Sequence, residues 1–196
     1  MKTIQLNGES RTNLGKKDTK ALRKQELVPC VLYGNKIDNL NFVLVVKELK
    51  ELIYSPFSYI VEISIGGKIH KCILKDIQFH PVSDKILHID FLSVDETKPV
   101  AIGIPVKITG YSEGVKQGGK LHVLSRKLKV SAMLNDLPDE LPIDITNLQL
   151  GKSICVGDLS FGKLNILTPK SNIICSVKIT RAAMGAAAAA AEEAKK

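Results

Sequence analysis

Apolar and polar residues alternate with a period of two over most of the chain, the pattern of half-buried strands. Ile4 and Leu6 sit between polar neighbours and predict a first strand. Residues 28–33 and 41–46 predict two more, and residues 85–92 another after the turn 81–84. Residues 59–65, the pair Gly66-Gly67 and residues 68–74 form the clearest hairpin: a two-residue glycine turn joins two β-rich runs. Helical spacing interrupts this pattern twice. Leu49, Leu52 and Ile53 at i, i+3 and i+4 make residues 47–54 a short amphipathic helix, which Ser55-Pro56 ends. Asp18 is placed to cap a second short helix over residues 19–27.

Residues 95–99 are polar and contain a proline, which predicts a domain boundary. Beyond them the pattern is almost purely β, with strands expected at 100–108, 120–133, 153–156 and 173–179. Turn signals separate them at Gly110, Gly118-Gly119, residues 137–142, Gly151 and Gly157-Asp158. The alternation slips at Ser125-Arg126, which predicts a β-bulge. The glycine-rich stretch 110–119 reads as a loop between strands that opens no helix. Residues 182–191 are eight-tenths alanine and lead into Glu-Glu-Ala-Lys-Lys, a helix-prone extension with no apolar face to bury. The expected fold is mainly β. A small N-terminal β-barrel with two or three short helices occupies residues 1–94. An all-β domain occupies 95–180, and a disordered Ala-rich tail 181–196.

Charge changes this picture from architecture to chemistry. The chain carries a net charge of +8. Residues 1–36 hold eight Lys or Arg against three Asp or Glu, so most of the excess is at one end. A clustered positive field implies a polyanionic partner: nucleic acid, an acidic protein or an anionic membrane surface. Arg11, Lys16, Lys17, Lys20, Arg23 and Lys24 run straight into a strand ending at Tyr33. On a helix rising about 1.5 Å per residue, Lys17, Lys20 and Lys24 span roughly 10 Å of one face, with Arg23 beside them. Cations beside a flat ring suit a phosphate backbone and a nucleotide.

Other chemistries find little support. Cys30, Cys72, Cys155 and Cys175 form no C-x-x-C pair and lie among apolar neighbours, as free thiols of a reducing cytosol do. The N-terminus lacks the apolar core of a signal peptide, and the longest nonpolar run is about half a membrane span. A soluble cytoplasmic protein without a membrane partner is expected. His80, His88 and Asp90 are residue types that can ligate a metal, as in a metal-dependent hydrolase. Strand geometry puts His88 and Asp90 on one face and His80 beyond a turn, with no H-E-x-x-H spacing. No nucleophile elbow, Walker loop or dinucleotide fingerprint is present. The expectation is a binding protein, not an enzyme, with no cofactor, no metal and no small-molecule substrate. His88 and Asp90 can instead offer a donor and an acceptor to base edges or a 2′-hydroxyl.

Two motif sets, in order, resemble one family. The first is Arg11…Gly15-Lys16…Ala21-Leu22-Arg23-Lys24…Val28-Pro29…Tyr33-Gly34 with Lys75-Asp76-Ile77-Gln78-Phe79-His80-Pro81…His88-Ile89-Asp90-Phe91. It is similar to the bacterial large-subunit ribosomal protein family that binds 5S rRNA (family L-twenty-five), in its long general-stress form called Ctc. The second, Gly114-Val115-Lys116-Gln117-Gly118-Gly119…Leu137-Pro138…Ile143-Asp144…Asp158-Leu159, is similar to that family's C-terminal β domain. The resemblance covers about residues 1–180. It implies a barrel docked on 5S rRNA in the central protuberance, beside neighbouring proteins of the large ribosomal subunit. It implies recognition residues at Arg11, Lys16, Arg23, Lys24, Tyr33, His88 and Asp90; the helix charge adds Lys20. Lys24 stands where the family usually has arginine. The alternative function, compatible with the Ctc form, is a stress-responsive protein-interaction module acting partly off the ribosome.

Overall fold

The computed structural model describes residues 1–34, 37–95, 97–162 and 164–180. The Ala-rich extension lies outside the described residues. The described residues divide into two compact units, Met1–Ile102 with Met133–Asp139, and Gly103–Ala132 with the described residues from Glu140 onward.

The first unit contains β1 (Lys2–Ser10), α1 (Lys16–Lys24), β2 (Leu27–Gly34), β3 (Ile37–Val45), α2 (Val46–Tyr54), β4 (Tyr59–Ile65), β5 (Lys68–Phe79) and β6 (Ile86–Ser93). The strands close into a barrel in the order β1-β3-β2-β6-β5-β4. Closure uses two parallel pairings, β1 with β4 and β2 with β6; the other pairings are antiparallel. Closing the sheet leaves no free edge. Period-two alternation fills the inside: Tyr59, Val61, Ile63 and Ile65 of β4 are buried, as are Val28, Cys30 and Leu32 of β2. Phe42 and Phe91 meet near the centre with ring centroids 5.9 Å apart. Gly8 makes room for them, since a Cβ there would lie 2.8 Å from the Phe42 ring. The Gly66-Gly67 turn has φ of 56° and 80°, the two positive values a tight hairpin turn requires. The amphipathic helix α2 buries Leu49 and Leu52 against the barrel core, as its spacing implied.

Helix α1 is displaced from its expected position. It starts at Lys16 after an extended Gly15, and Asp18 lies inside its first turn and makes no cap. The Gly15 carbonyl instead accepts from the Thr19 amide and hydroxyl. The helix ends at Lys24 because Glu26 takes a left-handed φ of 61° and turns the chain into β2. None of its residues is buried.

The second unit contains β7 (Val100–Thr109) from Gly103 onward, α3 (Glu113–Lys116), β8 (Lys120–Val123), β9 (Lys127–Ala132), β10 (Leu141–Asp144), β11 (Ser153–Cys155), β12 (Asn165–Ile166) and β13 (Ile173–Lys178). They form a four-stranded sheet, β10-β7-β9-β12, and a three-stranded sheet, β11-β13-β8. Three expectations are corrected here. The slip at Ser125-Arg126 is a change of sheet, not a bulge: Leu124 and Ser125 donate to Ile174, while Arg126 already accepts from Val106. The stretch 137–142 holds the start of β10, which pairs in parallel with β7. The glycine-rich stretch 110–119 contains the single helical turn α3, because Gly114 packs directly on the backbone of Gln149 and Leu150, where a Cβ would lie 2.6 Å away.

Candidate nucleic-acid interface

The predicted site residues fall on α1, the end of β2 and the middle of β6. In α1, Lys16, Lys20 and Lys24 repeat every four residues and form one exposed stripe, with Lys17 beside it. Among the described residues none of these four side chains has an ion pair or hydrogen bond. The opposite face, with Asp18, Ala21, Leu22 and Gln25, lines a groove shared with Glu9, Ser10 and Val43. A helix of nine residues with nothing buried does not hold itself together. Side-chain contacts from two arginines supplement its backbone bonds.

Arg11 is half-buried and spends its guanidinium within the protein. Nε donates to the Asn13 carbonyl at 2.8 Å and Nη2 to the Thr19 hydroxyl at 3.1 Å. It therefore organises the loop that launches α1. Arg23 does the same at the other end: Nε and Nη2 both donate to the Leu87 carbonyl, at 3.0 and 2.8 Å. This fork ties the C-terminal turn of α1 to β6 at the residue before His88. Both arginines were expected to be phosphate contacts. The structure adds a positioning role for each, visible only from tertiary contacts.

On β6, Ile89 and Phe91 point into the core, which leaves His88 and Asp90 outside. Nδ1 of His88 is shielded from solvent and lies 2.7 Å from Oδ1 of Asp90, off the direction of a regular hydrogen bond. Each side chain keeps 29% of its surface exposed. With Nδ1 shielded, the exposed part of the His88 side chain lies on its other atoms. The parallel register sets Val31 against Asp90 and Tyr33 against Leu92, so Tyr33 shares this outward face. Tyr33 also edges a cleft of about 510 Å³ lined by Asn39, Lys75 and Lys98. On the other side, β5 sets Gln78 against His88 and Asp76 against Asp90. Asp76 and Gln78 belong to the motif that carries the resemblance but are not among the expected recognition residues. Register shifts at Leu74/Asp76 and Gln78/Phe79 decide their pairing, and strand periodicity does not foretell those.

His80, a metal-ligand type by sequence, is part of a turn. Its Nδ1 accepts from the amides of Val82 and Ser83, at 3.3 and 3.2 Å. No group of three potential ligands gathers among the described residues. The cysteines are free thiols; Cys30, Cys72 and Cys175 are buried and Cys155 is half-buried. Burial, and next the Asp90 carboxylate, push the Cys30 thiol far up, and burial pushes Cys72 up to about 12. They are neutral packing groups of the barrel wall behind the candidate site. No helix among the described residues is long and apolar enough to cross a membrane.

A closed barrel bearing a cationic helix, followed by a second β unit, is matched in both halves. Residues 6–91 match the Ribosomal L25p family, and residues 99–181 match the C-terminal domain of ribosomal protein TL5. Together these define the class, a ribosomal protein of two β domains. The chain is 50% identical over 188 residues to large ribosomal subunit protein bL25 of Porphyromonas gingivalis, covering 95% of this chain and 98% of that one. It is 48% identical over 196 residues to the bL25 protein of Phocaeicola vulgatus, covering 97% and 99%. With the bL25 protein of Bacteroides thetaiotaomicron the identity is 46% over 195 residues, with 97% and 99% covered. The chain belongs to the bacterial bL25 family, also called Ctc, in its two-domain form.

Proposed function

We propose that this protein is a structural constituent of the large ribosomal subunit that binds 5S rRNA in the central protuberance. It works in the cytoplasm as part of the ribosome, by binding and without catalytic turnover. The family membership supports the ribosomal role. One observation carries the placement of the interface: the Arg23 fork on the Leu87 carbonyl joins the cationic helix to the strand that displays His88 and Asp90. Affinity and recognition groups thereby share one outer face of the barrel.

Within that face, Lys16, Lys20 and Lys24, with Lys17, neutralise phosphates. Arg11 and Arg23 hold the helix in place and offer their remaining N–H groups to the backbone. Tyr33 packs on the ribose-phosphate chain. The ring edge of His88 and the Asp90 carboxylate read a base edge or a 2′-hydroxyl in the shallow groove of an A-form helix. A carboxylate facing phosphates is repelled by them, so accepting a hydrogen bond from a base amino group is the use that offsets the repulsion.

Titration of the full chain with 5S rRNA over a range of salt concentrations tests this. Four to five neutralised phosphates give a log–log slope of roughly −3 to −4.5. A salt-insensitive complex, or no preference for 5S rRNA over an unrelated RNA of equal length, refutes it.

A further inference from the structure

The second unit carries an unusual cross-strand pair. In the three-stranded sheet the antiparallel register sets Lys178 of β13 directly against Lys120 of β8. Like charges placed opposite each other on a sheet face destabilise it. Both side chains are exposed, and neither has an ion-pair partner among the described residues. The neighbouring row continues the same chemistry: His122 lies against Ser176, and Ser176 against Ser153 of β11. Cys175 and Val177 take the buried face between them, so Lys120, His122, Ser176, Lys178 and Ser153 share the outer one. Beyond Ser153, Gly151 donates its amide to Val177, and the Ile179 side chain lies 3.6 Å from where a Gly151 Cβ would be.

Among the described residues no ion pair relieves this face. The three strands contain no Asp or Glu. Along the chain, the stretch between Glu113 and Asp136 holds five Lys or Arg and no acidic residue. A sheet face that tolerates an uncompensated lysine pair, with hydroxyls and an imidazole in the next row, is complementary to closely spaced phosphates.

We propose that the outer face of the β11-β13-β8 sheet is a second RNA-backbone site, separate from the barrel site, with Lys120 and Lys178 straddling a phosphate. His122, Ser176 and Ser153 donate to the adjoining phosphate or ribose. The partner is an RNA backbone and not an acidic protein, because the row beside the lysines is His122, Ser176 and Ser153, polar donors suited to phosphate and ribose.

The test uses the full chain with Lys120→Gln and Lys178→Gln combined, both exposed positions that leave the core intact. Lys107→Gln, which breaks the pair of exposed Lys107 with half-buried Glu140, serves as control. Binding is measured to large-subunit particles stripped of this protein, and to isolated 5S rRNA. The double variant is expected to bind the particles about tenfold more weakly, with a salt slope shallower by roughly 1.5 to 2. Its affinity for isolated 5S rRNA is expected to match the wild type, which separates this site from the barrel's. A photo-crosslinker in place of Lys120 is expected to capture RNA in the particles. Unchanged particle affinity and slope, or crosslinks to protein alone, overturn the proposal.

Discussion

Arg23→Lys separates positioning from charge, because it keeps the cation and removes the fork. Arg23 makes two hydrogen bonds to a single exposed-side carbonyl, at 3.0 and 2.8 Å. Hydrogen bonds from charged donors contribute about 1.5–3 kcal/mol when protected, and less in contact with water. For this exposed fork a net loss of about 1 kcal/mol is reasonable, which multiplies local opening of α1 by about fivefold. The helix has no buried residue to compensate, so the effect stays local. Hydrogen exchange of the full chain reads it directly. The Thr19 and Gln25 amides, bonded to Gly15 and Leu22, are expected to exchange about fivefold faster. Amides of β4 and β5 are expected to be unchanged. A helix that opens more often binds RNA more weakly although its charge is intact. Exchange in α1 equal to the wild type, or a rise spread over the whole barrel, refutes the anchoring role.

Three further outcomes follow from the geometry. His88→Ala or Asp90→Ala is expected to weaken 5S rRNA binding about tenfold with an unchanged circular dichroism spectrum; binding equal to the wild type removes these residues from the site. Gly34→Ala places a Cβ 2.9 Å from Ser93 Cβ and 3.2 Å from its carbonyl, so thermal melting is expected to show a loss of about 1–3 kcal/mol at the β2–β6 seam. The buried thiols set an alkaline limit. Unfolded cysteines lose their protons near 9.0, while folded Cys72 holds its proton to about 12. Its contribution is therefore complete below the unfolded value and is lost as pH rises through that window, at about 1.4 kcal/mol per pH unit. Denaturant titrations from pH 8 to 11 are expected to show a shallower decline for Cys72→Ala.

The sequence made the barrel legible where one local rule governs a whole element. The Gly66-Gly67 hairpin and the Leu49/Leu52 helix follow from turn chemistry and spacing alone. The limits of α1 did not, because Thr19 and Glu26 set them through backbone geometry. The residue at the expected cap, Asp18, makes no cap at all. In the second unit, the break at Ser125-Arg126 showed in the pattern. Its meaning did not, since a bulge and a change of sheet disturb alternation alike. For the candidate site, the cations and the His-x-Asp strand were visible as residue types. The Arg23–Leu87 link was not, because a backbone carbonyl leaves no mark in sequence. The lysine pair at 120 and 178 was equally hidden: only register brings residues so far apart into opposition.

The central claim is that α1 and β6 form one interface for 5S rRNA. Hydroxyl-radical footprinting of 5S rRNA tests it most directly, with the wild-type chain, with Lys16, Lys20 and Lys24 changed to Gln, and with His88→Ala. The expected result is one contiguous protected region. The lysine variant loses protection along its backbone edge, and His88→Ala loses an adjoining few nucleotides. Protection that survives both sets of changes, or two separate patches far apart on the RNA, contradicts it.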